Sequence, residues 1–390
     1  MITSAQGFRA AGVAAGIKAP SSEGTAKLDL AFVVNDGPDR HAAGVFTTNK
    51  VQAAPVLWSR QVLTTGALRA VVLNSGGANA CTGPTGFQTT HATAERAAEL
   101  LGCGAAEIAV CSTGIIGQQL PRDLLLAGLG VAFTELAGTD QAGTDAATAV
   151  LTTDNHPKQA SFQAVRGWRV GGFAKGSGMI APAMAPMLVV LTTDAVVDPG
   201  HLDLALRAAT GATFDRFDID GGTSTNDTVL VLASGASGVR VDRAELTQAL
   251  TSVCAELVDH LQADAEGVTK HVTITVHGAA TEAQALAAAR TVARDNLCKT
   301  AFFASDPNWG RIAMAVGNAD AELDPHELSI ILNGVCVCRD GQGRGDRHAA
   351  DLSGRDILVE IGLGVGEACG SIRTTDLSHA YVEENSAYSS

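Results

Sequence analysis

The chain has little charge and few aromatic residues. Charged residues make up 17% of its 390 positions and aromatic residues 4%, whereas hydrophobic residues make up 46%. Alanine, valine, leucine and glycine must therefore build the interior, and a chain of this length can bury a large core. A composition of this kind also favours a substantial subunit interface.

The sequence has few positively charged residues and lacks long apolar runs. The formal net charge of −14 argues against nucleic acid and anionic membranes as partners. No apolar run approaches the roughly 20 residues needed to span a bilayer. Gly, Arg and Lys interrupt the first 18 residues, so a signal-peptide core is lacking there. We expect a cytoplasmic protein.

Cysteine spacing gives no sign of a metal site. The eight cysteines form no CxxC pair, and no histidine stands at zinc-finger spacing from them. Cys336 and Cys338 alternate along a predicted strand and so share one of its faces. This spacing favours reduced structural thiols over a disulfide framework.

Strand and helix patterns alternate along the chain, which predicts an α/β layered fold with several hairpins rather than an all-parallel sheet. The turn residues 35–38 join two predicted strands, and Gly167 lies at the centre of a predicted strand pair. Predicted strands cover 28–34, 44–48, 69–73, 107–111, 161–170, 187–191, 228–232, 271–276, 328–338, 357–361 and 371–375; predicted helices cover 90–101, 121–129, 202–209, 242–263 and 282–296, and a further helix ends within 145–151.

The segment from Lys175 to Asp194, KGSGMIAPAMAPMLVVLTTD, organises the rest of the chain. A glycine-rich loop is followed by a proline-punctuated turn and then by an apolar run that predicts a buried strand. A glycine-rich loop that leads into a core strand can place backbone N–H groups beside a pocket.

Three further features could carry chemistry, although each also has an ordinary structural interpretation. Ser112-Thr113-Gly114 follows a strand and could supply donors to a developing oxyanion, but it is also a common turn. Lys175 could pair with a substrate carboxylate, although a lone lysine is usually solvated. Glu266, at a predicted helix end, is by itself a surface carboxylate.

Several motifs together resemble the ornithine acetyltransferase family, the bifunctional glutamate N-acetyltransferases of arginine biosynthesis. The segment that begins at Lys175 resembles the self-cleavage motif of that family, KGxGMxAPxxATML. Other agreements span nearly the whole chain: GGANACTG (76–83), FDxFDIDG (214–221), STNDT (224–228), ADAEGVTK (263–270), SDPNWGR (305–311) and the C-terminal YVEENSAYSS.

The resemblance implies a fold and a set of roles. The fold would be the layered α/β sandwich of the family, similar to that of N-terminal-nucleophile-like aminopeptidases, in a cytoplasmic homodimer or larger homo-oligomer. It implies no metal or other cofactor. Thr113 and Gly114 would form the oxyanion hole, and Glu266 would lie in the active site and bind the substrate amino group. Further substrate-binding positions would be Thr152, Lys175, Asn385 and Ser390.

Pro186 departs from the family pattern at the decisive position. Family members are cut before a threonine, which then becomes the N-terminal nucleophile, and Pro186 stands at that place here. Proline has no hydroxyl, and it makes the preceding peptide bond a tertiary amide. The regions 1–185 and 186–390, which match the two family chains, are therefore predicted to stay joined. Ser177 is a weak substitute nucleophile, and Thr192 and Thr193 are predicted to be structural.

Three functional hypotheses follow. The first is acetyl transfer from N-acetylornithine to glutamate by an altered mechanism. The second is a related amino-acid acyl transfer without a covalent acyl-enzyme, with Glu266 as the base and Thr113 and Gly114 as the oxyanion hole. The third is an inactive, uncleaved pseudoenzyme that binds an amino acid or a partner subunit.

Overall fold

Two compact units make up the protein. The computed structural model describes residues 1–20, 24–181 and 187–387. Unit 1 consists of Met1–Asp215 and Thr223–Leu261, and unit 2 consists of Arg216–Gly222 and Gln262–Ser390. None of the helices within the described ranges has the length and apolar character needed to cross a bilayer.

Unit 1 contains two sheets. One has the strand order β1 (Phe8–Val13), β2 (Leu30–Asn35), β4 (Ala70–Asn74), β5 (Ile108–Ser112). The other has the order β3 (His41–Phe46), β9 (Thr228–Ala233), β8 (Leu188–Thr193), β7 (Arg169–Lys175), β6 (Lys158–Gln163). The helices are α1 (Ala54–Val62), α2 (Gly83–Leu101), α3 (Arg122–Glu135), α4 (Asp140–Ala149), α5 (Pro199–Ala212) and all but the last two residues of α6 (Arg243–Ala263).

The two sheets of unit 1 pack face to face, as the alternation of their side chains dictates. One hydrophobic cluster joins Val33, Val71 and Leu73 of the first sheet to Val190 and Leu230 of the second. The neighbouring residues along the first sheet point the other way and pack under α2 and α3. On the second sheet, α5 packs against β3. These layers place the ends of β4, β5 and β7 around the residues described below.

Unit 2 contains a mixed sheet covered by helices on one face. Its strand order is β13 (Gln342–Gly343), β12 (Val335–Arg339), β11 (Ser329–Leu332), β14 (Asp356–Gly362), β10 (His271–Ala279), β15 (Ala368–Thr375). Val272, Ile274 and Val276 of β10 are fully buried and alternate with half-buried polar residues. The buried face packs against α7 (Glu282–Arg294), α8 (Asn296–Phe303) and α9 (Trp309–Gly317), and the described chain ends with α10 (His379–Ala387).

The predicted α/β class is confirmed, and so is the strand pair around Gly167, where β6 and β7 run antiparallel. The turn at residues 35–38 joins two strands, as predicted. These strands lie in different sheets, because β2 pairs with β1 and β4 whereas β3 pairs with β9. One segment differs from the prediction. The segment 328–338 forms two strands, since Asn333 and Gly334 have φ of 44° and 81° and turn the chain back.

Candidate active site

Three loops of unit 1 are tied together at the carboxyl ends of the parallel strands β4 and β5. Ser112 Oγ donates to Asn74 Oδ1 at 2.6 Å, and the amide of Thr113 donates to the carbonyl oxygen of Asn74 at 2.9 Å. From the STNDT segment, Asn226 Nδ2 donates to the carbonyl oxygens of Ala78 and Ser112 at 2.6 and 2.8 Å. The segments 76–83, 112–114 and 224–228, which all carry sequence motifs, therefore form one rigid framework.

Gly114 has a backbone conformation and a setting that exclude a side chain. Its φ is 128°, and a Cβ at this position would lie 2.6 Å from the amide nitrogen of Gly77. An L-residue would thus be strained both by its φ and by a backbone clash. The close approach keeps Thr113 and Gly114 packed against the glycine pair 76–77, so this segment is held in one conformation.

Lys175 ends β7 and is buried, with 2% of its surface exposed. Its ammonium donates to Thr152 Oγ1 at 2.8 Å and to Thr113 Oγ1 at 3.3 Å. The structure therefore brings together three of the predicted site residues from three separate segments. An ammonium only donates hydrogen bonds, so both hydroxyls keep their own protons for another acceptor.

A buried carboxylate, Asp154, joins Lys175 to a second lysine. Asp154 Oδ1 accepts from Lys158 Nζ at 2.7 Å and from the amide of Gly176 at 2.6 Å, and Oδ2 lies 3.7 Å from Lys175 Nζ. Burial alone would raise the pKa of Asp154, but the charges of Lys175 and Lys158 outweigh burial and hold the pKa well below its usual range. Asp154 is thus ionised at neutral pH.

Ser177 is buried, and its Oγ lies 2.6 Å from the hydroxyl of Thr153. Within the described residues this hydroxyl is the one hydrogen-bond partner of Ser177, so its side chain contacts no general base there. Thr192 Oγ1 donates to the carbonyl oxygen of Ile2 at 2.7 Å, and Thr193 Oγ1 to that of Arg169 at 2.8 Å. These bonds support the structural roles predicted for Thr192 and Thr193.

Unit 2 contains a second group of predicted site residues. Glu266 Oε2 accepts a hydrogen bond from Asn385 Nδ2 at 2.9 Å, and Asn385 is anchored at 3.0 Å to the carbonyl oxygen of Tyr381 one helical turn earlier. Asn385 is exposed and Glu266 is half-buried. The C-terminal segment is thus helical through residue 387, although its polar composition alone is typical of a disordered tail.

Tyr381 fixes the start of this helix. Its hydroxyl donates to Asp220 Oδ2 at 3.1 Å, and burial together with the Asp220 charge raises the pKa of Tyr381. A Cβ at Gly267 would lie 2.2 Å from the amide nitrogen of Tyr381, so only glycine allows the helix to approach there. The motifs at 214–221 and 263–270 therefore hold the C-terminal helix, an association that sequence spacing does not reveal.

Pro186 and Ser390 lie outside the described residues.

Sequence reasoning did not identify Lys18, Asp154, Lys158 or Asp227 in unit 1. Asp227 directly precedes β9 and is fully buried, and its Oδ1 accepts from the amide of Met187 at 3.1 Å. Burial raises the pKa of Asp227 well above the usual value, and the charge of Lys175 opposes this rise only in part. The feature of the sequence that could have indicated these four residues is the presence of isolated charged residues within segments of otherwise small or apolar residues.

The sequence matches known proteins over its whole length. The model of the ArgJ family matches residues 9–390. A protein of Mycolicibacterium paratuberculosis named arginine biosynthesis bifunctional protein ArgJ is 60% identical over 394 residues, which cover 100% of this chain and 96% of the relative. The chain belongs to the ArgJ family. The resemblance to ornithine acetyltransferases, and with it the acyltransferase class, is therefore confirmed.

Two further relatives extend the comparison. A Streptomyces coelicolor protein of the same name is 53% identical over 389 residues, which cover 100% of both chains. Among solved structures, that of an ornithine acetyltransferase complexed with ornithine from Mycobacterium tuberculosis shares 58% identity and covers 48% of this chain and 95% of that chain, with a TM-score of 0.45.

Proposed function

We propose that the protein binds the amino-acid substrates of its family and transfers acetyl between N-acetylornithine and glutamate, or between closely related amino acids, without a threonine acyl-enzyme. Family membership supports the substrate class. The observation that carries the proposal is the buried Lys175 ammonium, held by the hydroxyls of Thr152 and Thr113. It offers a carboxylate a fixed positive charge next to the segment assigned to the oxyanion.

The direct reaction can be written without a covalent intermediate. The unprotonated amine of glutamate attacks the acetyl carbonyl carbon, and the carbonyl oxygen takes the negative charge. Thr113 and Gly114 are assigned to stabilise that oxygen, because the Thr113 hydroxyl keeps its proton while it accepts from Lys175. Collapse breaks the bond to the ornithine nitrogen, which gains a proton as the attacking nitrogen loses one. Glu266 is assigned to take the proton from the attacking nitrogen and to deliver it to the leaving nitrogen.

Pro186 is what separates this proposal from the usual family reaction. A side chain without a hydroxyl can neither cleave the preceding peptide bond nor carry the acetyl group. We infer that the regions 1–185 and 186–390 remain one chain. The same residue also favours a second candidate function, an inactive protein that binds an amino acid or a partner subunit.

Acetyl transfer from N-acetylornithine to glutamate distinguishes these possibilities when Pro186→Thr is assayed beside the natural chain. We expect a single band on a denaturing gel and measurable transfer for the natural chain, with transfer abolished in Glu266→Gln. Two natural fragments that meet at Ala185 and Pro186 would contradict the inference of an uncleaved chain. Transfer by Pro186→Thr alone would favour the inactive protein.

A further inference from the structure

A second ammonium lies beside the Lys175 network, that of Lys18. Its Nζ donates to the carbonyl oxygen of Leu151 at 3.0 Å, and Leu151 directly precedes Thr152, whose hydroxyl accepts from Lys175. Two residues of chain span at most about 7 Å. The two ammoniums therefore contact adjacent residues of the segment 151–152. The charge of Lys175 also lowers the pKa of Lys18, as expected for two cationic groups that lie near each other.

The loop that carries Lys18 is held in place by a buried carboxylate. Asp29 is fully buried, and its oxygens accept from the amides of Ala15, Ile17 and Lys18 at 2.6, 2.6 and 2.9 Å. Backbone amides therefore occupy both oxygens of the Asp29 carboxylate. The loop is thereby pre-organised, so a ligand that contacts Lys18 need not order it.

The stem of Lys18 crosses the glycine pair that supports Gly114. A Cβ at Gly76 would lie 3.1 Å from Lys18 Cγ, and the neighbouring Gly77 pairs with Thr113. Within residues 1–20, 24–181 and 187–387, the one acceptor of the Lys18 ammonium is the Leu151 carbonyl oxygen. Since an ammonium has three donors, two of them are available to a ligand.

We propose that Lys18 binds the side-chain carboxylate of a dicarboxylic amino acid such as glutamate, while Lys175 binds its α-carboxylate. The inference rests on the proposed function of the same site and assigns it a specificity residue. The acceptor glutamate carries two carboxylates, whereas ornithine carries one carboxylate and a side-chain ammonium that Lys18 repels. Lys18 thus favours glutamate over amino acids of the same length without the second negative charge.

The protonation state of Lys18 makes this preference depend on pH. Burial lowers the pKa of Lys18 to about 8; the charge of Asp29 and the more distant Asp154 oppose the shift, and Lys27 and Lys175 add to it. The ammonium is charged below that pH and loses its proton as the pH rises through it. Preference for the second carboxylate should therefore be present at pH 7 and decline between about pH 8 and pH 9.5.

Calorimetric titration of the full chain with glutamate, glutamine and ornithine tests the inference. Glutamine has the shape of glutamate without its charge. Because a charge-assisted hydrogen bond is involved, we expect glutamate to bind about ten- to a hundred-fold more tightly than glutamine at pH 7. Lys18→Met should abolish that preference and should bind ornithine at least as tightly as the natural chain does, which also reports on folding.

Two more variants control the test. Lys18→Arg should keep the preference up to pH 9.5, because arginine stays protonated. Lys27→Met removes an exposed lysine of the same region and should keep the preference. A glutamate preference that survives in Lys18→Met, or is absent from the natural chain while ornithine binds, would overturn the role of Lys18 alone. If the natural chain binds none of the three ligands, the proposed function fails together with this inference.

Discussion

The surroundings of the predicted site residues differ between the two units in burial and in charge. In unit 1, Lys175, Lys158 and Asp154 form a buried network in which the exposed fraction of each side chain is at most 2%. In unit 2, Glu266 accepts a hydrogen bond from Asn385, which is exposed on the C-terminal helix. Buried charges are costly unless paired, so the first group should contribute to stability as well as to function, whereas the second should contribute mainly to function.

Asp154→Asn should have the largest effect on stability. It leaves two buried ammoniums without the carboxylate between them, and we expect a loss of roughly 3–5 kcal/mol in the free energy of unfolding, measured by urea denaturation. Asp203→Asn is the matched control, because it breaks an exposed pair with Arg207 and should cost less than about 1 kcal/mol. Equal losses in the two variants would show that the buried network contributes no more to the free energy of unfolding than an exposed ion pair does.

The stability supplied by Asp154 should also depend on pH. Its folded pKa lies below that of the unfolded chain, so its contribution is fully present above about pH 4 and is lost as the pH falls through the folded pKa. Urea denaturation of the natural chain and of Asp154→Asn should therefore give curves that converge as the pH is lowered from 5 to 2. A difference that stays constant over this range would contradict the assignment of an ionised Asp154.

Gly114→Ala should have an intermediate effect. The new Cβ would meet the backbone of Gly77, in addition to the strain of a positive φ. Gly117→Ala is the control, since Gly117 has a φ of 87° and nothing lies within 4 Å of its Cβ position. We expect about 1–2 kcal/mol for the control and clearly more for Gly114→Ala, measured by thermal unfolding. A smaller loss at Gly114 than at Gly117 would argue against the tight packing of this segment.

Asn385→Ala should have the smallest effect on stability. It removes the exposed hydrogen bonds of the Asn385 amide to Glu266 and to the carbonyl oxygen of Tyr381. Because water can replace both partners, the free energy of unfolding should change by less than about 1 kcal/mol. Under the proposed function, substrate binding should nevertheless weaken at least ten-fold, a factor that corresponds to about 1.4 kcal/mol. Calorimetric titration with ornithine measures this loss, and unchanged binding would remove Asn385 from the site.

Local patterns predicted much of the fold, because strands such as β9 and β10 and helices such as α2, which ends at the left-handed Gly102, depend on nearby residues. Partners that are distant in the chain could not be predicted in this way. The pairing of β3 with β9 joins residues 41–46 to 228–233, and hydrophobic alternation carries no information about that choice.

The same limit applies to the site. The sequence indicates Lys175 as a candidate but is equally compatible with a solvated lysine at this position. The structure excludes the solvated lysine, because the Lys175 ammonium is buried and donates to the hydroxyls of Thr152 and Thr113. Asp154 and Lys158 are four residues apart and lie outside any helix. Asp154 follows a predicted helix end, and no element was predicted at Lys158. Their importance comes from burial, which short polar segments do not reveal.

Ornithine binding to the natural chain and to Lys175→Met tests the central claim, an intact carboxylate pocket in unit 1. We expect ornithine to bind the natural chain saturably. Its affinity should fall at least about ten-fold in Lys175→Met and should not change in the exposed control Lys50→Met. Absence of binding to the natural chain, or equal binding to Lys175→Met and the natural chain, would contradict it.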